Sequence, residues 1–117
     1  MYVDGFIVPV PKKNLAAYRK LARLAGKVWK DHGALEYREC VADDVKKGKY
    51  TSFPQSVKLK KDETVVFAWI VYKSRKQRDS VNKKVMADPR LASMGMKDVP
   101  FDGKRMIYGG FKIAVDL

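Results

Sequence analysis

One cysteine, Cys40, and one histidine, His32, are all that 117 residues offer to disulfide or imidazole chemistry. A lone cysteine excludes an intramolecular disulfide framework and any CxxC site, and a lone histidine excludes zinc sites that draw several histidines from one chain. No metal and no cofactor is implied. Long apolar runs are missing too: no stretch approaches the ~18 residues of a membrane span. The first apolar segment contains Asp4, Pro9 and Pro11, which makes it a poor signal-peptide core. The expected setting is cytoplasmic, with no membrane partner. Glycine-rich phosphate loops and Ser/His/Asp motifs are also absent, and Cys40 falls in a strand pattern that suits a packed thiol better than a nucleophile. Acidic residues are scarce, 13 Asp plus Glu against 25 Lys plus Arg, for a net charge of +12. Such an excess attracts phosphate-rich or acidic partners. It is spread from Lys12-Lys13 to Lys83-Lys84, however, and so equally describes a solvated basic surface.

What is present is enough apolar material, 46% of the residues, to fold one domain spanning residues 1–117. Tyr2 to Val10 reads as a strand with apolar residues on both faces, and Pro9 suggests that pairing stops near its end. From Asn14 to Asp31 the period becomes helical, with Leu15, Tyr18, Ala22, Ala25 and Trp29 on one stripe, Asn14 placed to cap and Gly33 to terminate. Leu35 to Ala42 alternates again, setting Leu35, Tyr37, Glu39 and Val41 against Ala34, Glu36, Arg38 and Cys40. Lys46 to Glu63 reads as a long connection with a short helical turn. Thr64 to Tyr72, apolar on both sides, must be a central strand. Ser74 opens a second helix with Arg78, Val81 and Val85 inward, ended by Asp88-Pro89. Arg90 to Asp102 reads as irregular. Lys104 to Val115 forms the last strand, where Gly109-Gly110 marks a bulge or a close backbone approach. The order is βαββαβ, an α+β fold with an antiparallel sheet and two helices on one face. The apolar second face then needs a cover, and a second copy of the same chain is the economical one.

The segments YVDGFIVPVP, KVWKDHGALEYREC, ETVVFAWIVYKSR and PFDGKRMIYGGF resemble the DUF1428, or YbaA-like, family of uncharacterised bacterial proteins. The resemblance spans nearly the whole chain. It implies a ferredoxin-like subunit of the dimeric α/β barrel superfamily, with clefts between sheet and helices, and it brings no catalytic residues with it. Other branches of that superfamily include cofactor-free monooxygenases, haem-degrading enzymes and small-molecule binders, an analogy at the level of fold. A different resemblance concerns Phe67-Ala68-Trp69-Ile70-Val71-Tyr72, which fits the latter part of the RNP1 pattern of RNA-recognition motifs. There Phe67, Trp69 or Tyr72 would stack bases while lysines follow phosphates. Val65-Val66 stands where that pattern has a basic residue and glycine.

Asp4, Glu36, Arg38, Glu39 and Arg105 are ionisable residues inside strand patterns, and buried charges require partners. Glu36 and Arg38 share a face and form one mixed-charge network with His32 if that face is a cleft; a solvent-facing sheet rim gives the same pattern. His32 precedes Gly33 at a helix end, where a protonated imidazole also suits the helix dipole. Tyr37, Trp69, Tyr72 and Tyr108 combine large apolar bodies with hydrogen-bond donors able to orient a ligand. Strand parity puts Trp69 and Tyr72 on opposite faces. The candidate ligand-binding residues are thus His32, Glu36, Arg38, Tyr37, Trp69, Tyr72, Arg105 and Tyr108. The expected activity is small-molecule binding by a homodimer, extending to cofactor-free catalysis, with nucleic-acid binding through the basic surface as the alternative.

Overall fold

A computed structural model describes residues 1–92 and 99–117. Four strands, β1 (Tyr2–Pro11), β2 (Glu36–Val41), β3 (Glu63–Tyr72) and β4 (Ile107–Lys112), form one sheet in the order β2-β3-β1-β4. Every neighbouring pair is antiparallel. Helices α1 (Leu15–Asp31) and α3 (Arg75–Met86) lie on one face, and the short helices α2 (Phe53–Ser56) and α4 (Pro89–Ala92) sit in the connections. This is the ferredoxin-like βαββαβ arrangement expected of the sequence. A thickness of 21 Å accommodates two layers, helices and sheet, and no third.

The register explains why both faces of the central strands are apolar. Tyr2, Phe6, Val8 and Val10 point towards the helices with Val66, Ala68, Ile70 and Tyr72, and they close over Tyr18, Ala22 and Val28 of α1 and Val81 and Val85 of α3. Ser74 caps α3 by accepting from the Gln77 amide at 3.1 Å. Asn14 occupies the cap position of α1 without capping it; a 3-10 turn over Lys12–Asn14 precedes the helix, and the Asn14 amide reaches Pro100 instead. Gly33 ends α1 with φ +117, a conformation suited to glycine, and its carbonyl accepts from Gln77 Nε2 at 3.0 Å.

Four expectations are revised. Pairing does not stop at Pro9, since β1 stays in register with β3 as far as Pro11 opposite Glu63. Pairing with β4 ends at Ile7, so Pro9 lies where β1 has one neighbour, the setting that tolerates a missing N–H. The last strand is shorter than Lys104 to Val115. Its start is displaced by a turn in which the Arg105 amide donates to Asp102, and past Lys112 one further backbone bond follows, Ile113 N donating to Met1 O. Gly109 and Gly110 keep regular register, so the close-approach reading holds and the bulge does not: a Cβ on Gly110 would lie 2.3–2.8 Å from the Tyr2 ring and hydroxyl. Within Arg90 to Asp102, read as irregular, α4 takes the start, and residues 93–98 lie outside the described residues.

The second face carries Val3, Ile7, Val65, Phe67, Trp69, Val71, Ile107 and Phe111. Part of its cover is the chain itself. Val57 and Leu59 of the long connection pack with Ala42 on Ile7 and Val65, and Phe53 meets the Phe67 ring edge-on at 5.9 Å. The remainder is open, with Ile107 45% and Phe111 61% exposed. Cys40 also lies on this face and is exposed, not packed as its strand pattern suggested, because β2 is an edge strand.

Candidate functional site

Small residues at facing positions leave space between α1 and the sheet. Ala22 and Ala25 of α1 lie over Ala68 of β3, and the resulting cavity of about 410 Å³ is walled by Phe6, Trp29, Tyr37 and Ile70. Met86 of α3, Leu91 of α4, Phe101 and Met106 also line it. Its size falls in the range of small-molecule pockets.

Among the described residues one carboxylate lines this cavity. Glu39 stands opposite Ala68 in the β2–β3 register and shares the helix-facing side of β2 with Tyr37. Its two carboxylate oxygens accept from two phenols, Tyr18 at 2.5 Å and Tyr37 at 2.6 Å. Burial, reinforced by the Glu39 charge, pushes both phenols well above the usual tyrosine range, so they remain donors. Trp29 packs on Tyr37 with ring centroids 6.2 Å apart, and its indole N–H donates to Asn82 Oδ1 at 3.1 Å. Gly26 makes that packing possible, since a Cβ there would come within 2.8–2.9 Å of the Tyr37 ring. On the outside, between α1 and the edge of β2, Arg19, Arg23, Lys27 and Lys30 line a basic groove that also reaches Tyr18, Tyr37 and Glu39.

Of the residues singled out from the sequence, Tyr37 lines the cavity and the others are dispersed. Glu36, Arg38 and Trp69 do come together, on the second face: Glu36 Oε1 accepts from Arg38 Nε at 2.8 Å and from Trp69 Nε1 at 3.0 Å. These bonds, Arg38 first, hold the Glu36 carboxyl below its ordinary value. His32 does not join them. Its Nε2 lies 2.8 Å from Asp88, which Arg90 also grips, so the imidazole ties the end of α1 to the α3–α4 junction. Tyr72 is fully buried beneath α3, its hydroxyl donating to Asn82 at 3.3 Å, and it cannot share a base-stacking surface with Phe67 and Trp69. Arg105 lies before β4, not within it, and clamps the long connection: it pairs with Glu63 at 2.6 Å and Asp102 at 2.8 Å and donates to the Val57 and Lys58 carbonyls. Tyr108 is largely exposed and stacks on Phe6, 6.1 Å between centroids. Among the described residues no three His, Cys, Asp or Glu side chains gather to hold a metal ion, and no helix is long and apolar enough to cross a membrane.

Glu39, Tyr18, Trp29 and Phe6 were not singled out as ligand-binding residues. The signal for Glu39 was in the alternation itself, a carboxylate in the row Leu35, Tyr37, Val41 that otherwise reads as the apolar face of β2.

The model of a family described as "Protein of unknown function (DUF1428)" matches residues 1–103. The uncharacterized protein YbaA of Escherichia coli (strain K12) is 50% identical over 115 residues, covering 98% of this chain and 97% of that one, and YbaA of Shigella flexneri matches to the same extent. Among solved structures, an uncharacterized NIPSNAP domain protein from Burkholderia xenovorans superposes with a TM-score of 0.65 over 97% of this chain and 95% of that chain, at 16% identity, a likeness of fold. With a family match over most of its length and half its residues shared with YbaA, the chain belongs to the YbaA-like DUF1428 family.

Proposed function

We propose that this protein binds a small, mainly apolar molecule in the helix-side cavity, and that it does so as a homodimer packed through the open part of the second sheet face. The observation that carries the binding reading is a cavity of about 410 Å³ with aromatic walls and one hydrogen-bonded carboxylate. Apolar walls with a few placed polar groups are the usual make-up of a ligand site. The dimer reading is supported by Phe67, Ile107 and Phe111, exposed apolar side chains on one face of a two-layer subunit.

Calorimetric titration with 2-phenylethanol, a neutral aromatic probe, tests the site. Saturable binding is expected in the wild type. Ala68→Leu, which places extra methyl groups in the cavity, is expected to abolish it and to raise stability by about 0.5–2 kcal/mol, the usual return on filling a cavity. Wild type that binds no probe, together with an A68L variant that loses stability as an overpacked core does, would sink the reading.

A further inference from the structure

We infer that the cavity is selective for a protonated amine on an aromatic or alkyl body, with the ammonium seated on Glu39 among the rings of Tyr18, Tyr37 and Trp29. The inference rests on the binding reading above and deepens it.

It starts from a contrast among the acids of this chain. The three buried ones each have a cation: Asp4 has Arg78 at 3.5 Å, Glu63 has Arg105 at 2.6 Å, and Asp88 has Arg90 at 2.8 Å. Glu39 has two phenols and, among the described residues, no ion-pair partner. That is unusual company for a carboxylate in a chain with 25 Lys plus Arg. Two neutral donors leave it acceptor capacity, since an ionised carboxylate has about four lone-pair sites and the phenols occupy two. Glu39 is therefore a pocket carboxylate with no cation at contact distance among the described residues.

The surroundings fit the same head group. An ammonium carries donors and no acceptor, which matches a wall offering an anion, and aromatic faces attract cations through their quadrupole. Tyr18 is flanked by Phe101 at 5.7 Å and Tyr37 by Trp29 at 6.2 Å, so each phenol that donates to the carboxylate is backed by a second ring. Beyond them the described lining is apolar, with alanine, isoleucine and methionine side chains suited to an apolar body and, among the described residues, no second carboxylate or cation. A ligand carboxylate would instead face Glu39 directly, a like-charge contact in a poorly solvated space.

The test compares three probes of nearly one shape on the full-length protein at neutral pH: phenethylamine, 2-phenylethanol and 3-phenylpropanoate. Phenethylamine is expected to bind at least about tenfold tighter than the alcohol, a preference of the size that close charge pairs support, with the acid weakest. Glu39→Gln is expected to level amine and alcohol while keeping alcohol binding. Tyr37→Phe, which frees a carboxylate lone pair, is expected to keep the amine preference and serves as the second variant if E39Q does not fold. Equal binding of amine and alcohol, or tighter binding of the acid drawn by the basic groove of Arg19, Arg23 and Lys27, overturns the amine inference and leaves the cavity reading standing. Binding of none of the three overturns both.

Discussion

Glu63 is buried at the start of β3, and Arg105 supplies both of its bidentate contacts, at 2.6 and 2.8 Å. Those bonds, the largest cause, hold the Glu63 carboxyl below its ordinary 4.5, and Asp102 is held below its own ordinary value by the same guanidinium. An acid whose folded value is depressed adds stability that is complete above the unfolded value and is lost as pH falls through the folded one. Arg105→Met is therefore expected to lower the melting temperature by several degrees at pH 7, because it leaves a buried carboxylate without its cation. The gap to wild type should narrow as the pH drops below about 4.5, where Glu63 is protonated in the unfolded chain of both proteins. A gap that stays constant from pH 7 to pH 3 in thermal scans would show that Arg105 acts through packing and its carbonyl hydrogen bonds, not through its ion pairs. Sequence legibility differs sharply at this scale. That Arg105 needed a partner followed from its type, whereas its place before β4 and the partner, 42 residues away in sequence, depended on how the long connection folds back. His32 shows the same limit: its type suggested a ligand, and only the closure of α3 and α4 onto α1 supplies Asp88.

Among the elements, α1 meets β2 through a glycine. Gly26→Ala should gain about 0.8–1 kcal/mol of intrinsic helix propensity. The new Cβ, however, would stand 2.8–2.9 Å from a Tyr37 ring that is pinned by Trp29 and by its bond to Glu39. Overpacking of this kind typically costs about 1–3 kcal/mol, so the expected outcome is a net loss on urea denaturation, with weaker binding of an aromatic probe as Tyr37 is displaced towards the cavity. A G26A variant more stable than wild type would show that the ring relaxes freely. The elements themselves were legible because each announces its period: two-faced apolar alternation for the central strands β1 and β3, a helical stripe for α1, and a serine cap for α3. Their limits were not. The start of β4 is fixed by the Asp102–Arg105 turn, and the single-sided pairing of Pro9 by where the β1–β4 ladder stops, neither visible in the strand pattern. The cavity was hidden for a similar reason, since a void arises where small residues of different elements, Ala22, Ala25 and Ala68, happen to face one another.

At the scale of the whole molecule, one subunit leaves an imbalance between its two sheet faces. Helices cover one, while the long connection covers only the Ile7–Val65 end of the other. What remains open is a strip in which the Phe111 ring lies against Gly5 and Gly109, 3.7–3.9 Å from where their Cβ atoms would be, flanked by Trp69 and Ile107. Charge is confined to its margin, where Arg38 and Glu36 pair at 2.8 Å. A positively charged chain repels its own copies at long range, so the proposed association would have to come from contact, which an apolar strip with a paired charge at its edge would supply. A two-fold dimer would place the same strip against itself. Sedimentation equilibrium is expected to give a dimer at micromolar concentration, and more firmly at high salt, where repulsion is screened. Phe111→Glu and Ile107→Glu, each placing a charge in that contact, should yield monomers with unchanged far-UV circular dichroism. Since Tyr37 and Glu39 face the opposite side of the sheet, these monomers should keep their affinity for an aromatic probe. Wild-type protein that sediments as a monomer at high salt would refute the dimer, and monomeric variants that lose probe binding would show that the cavity depends on the partner.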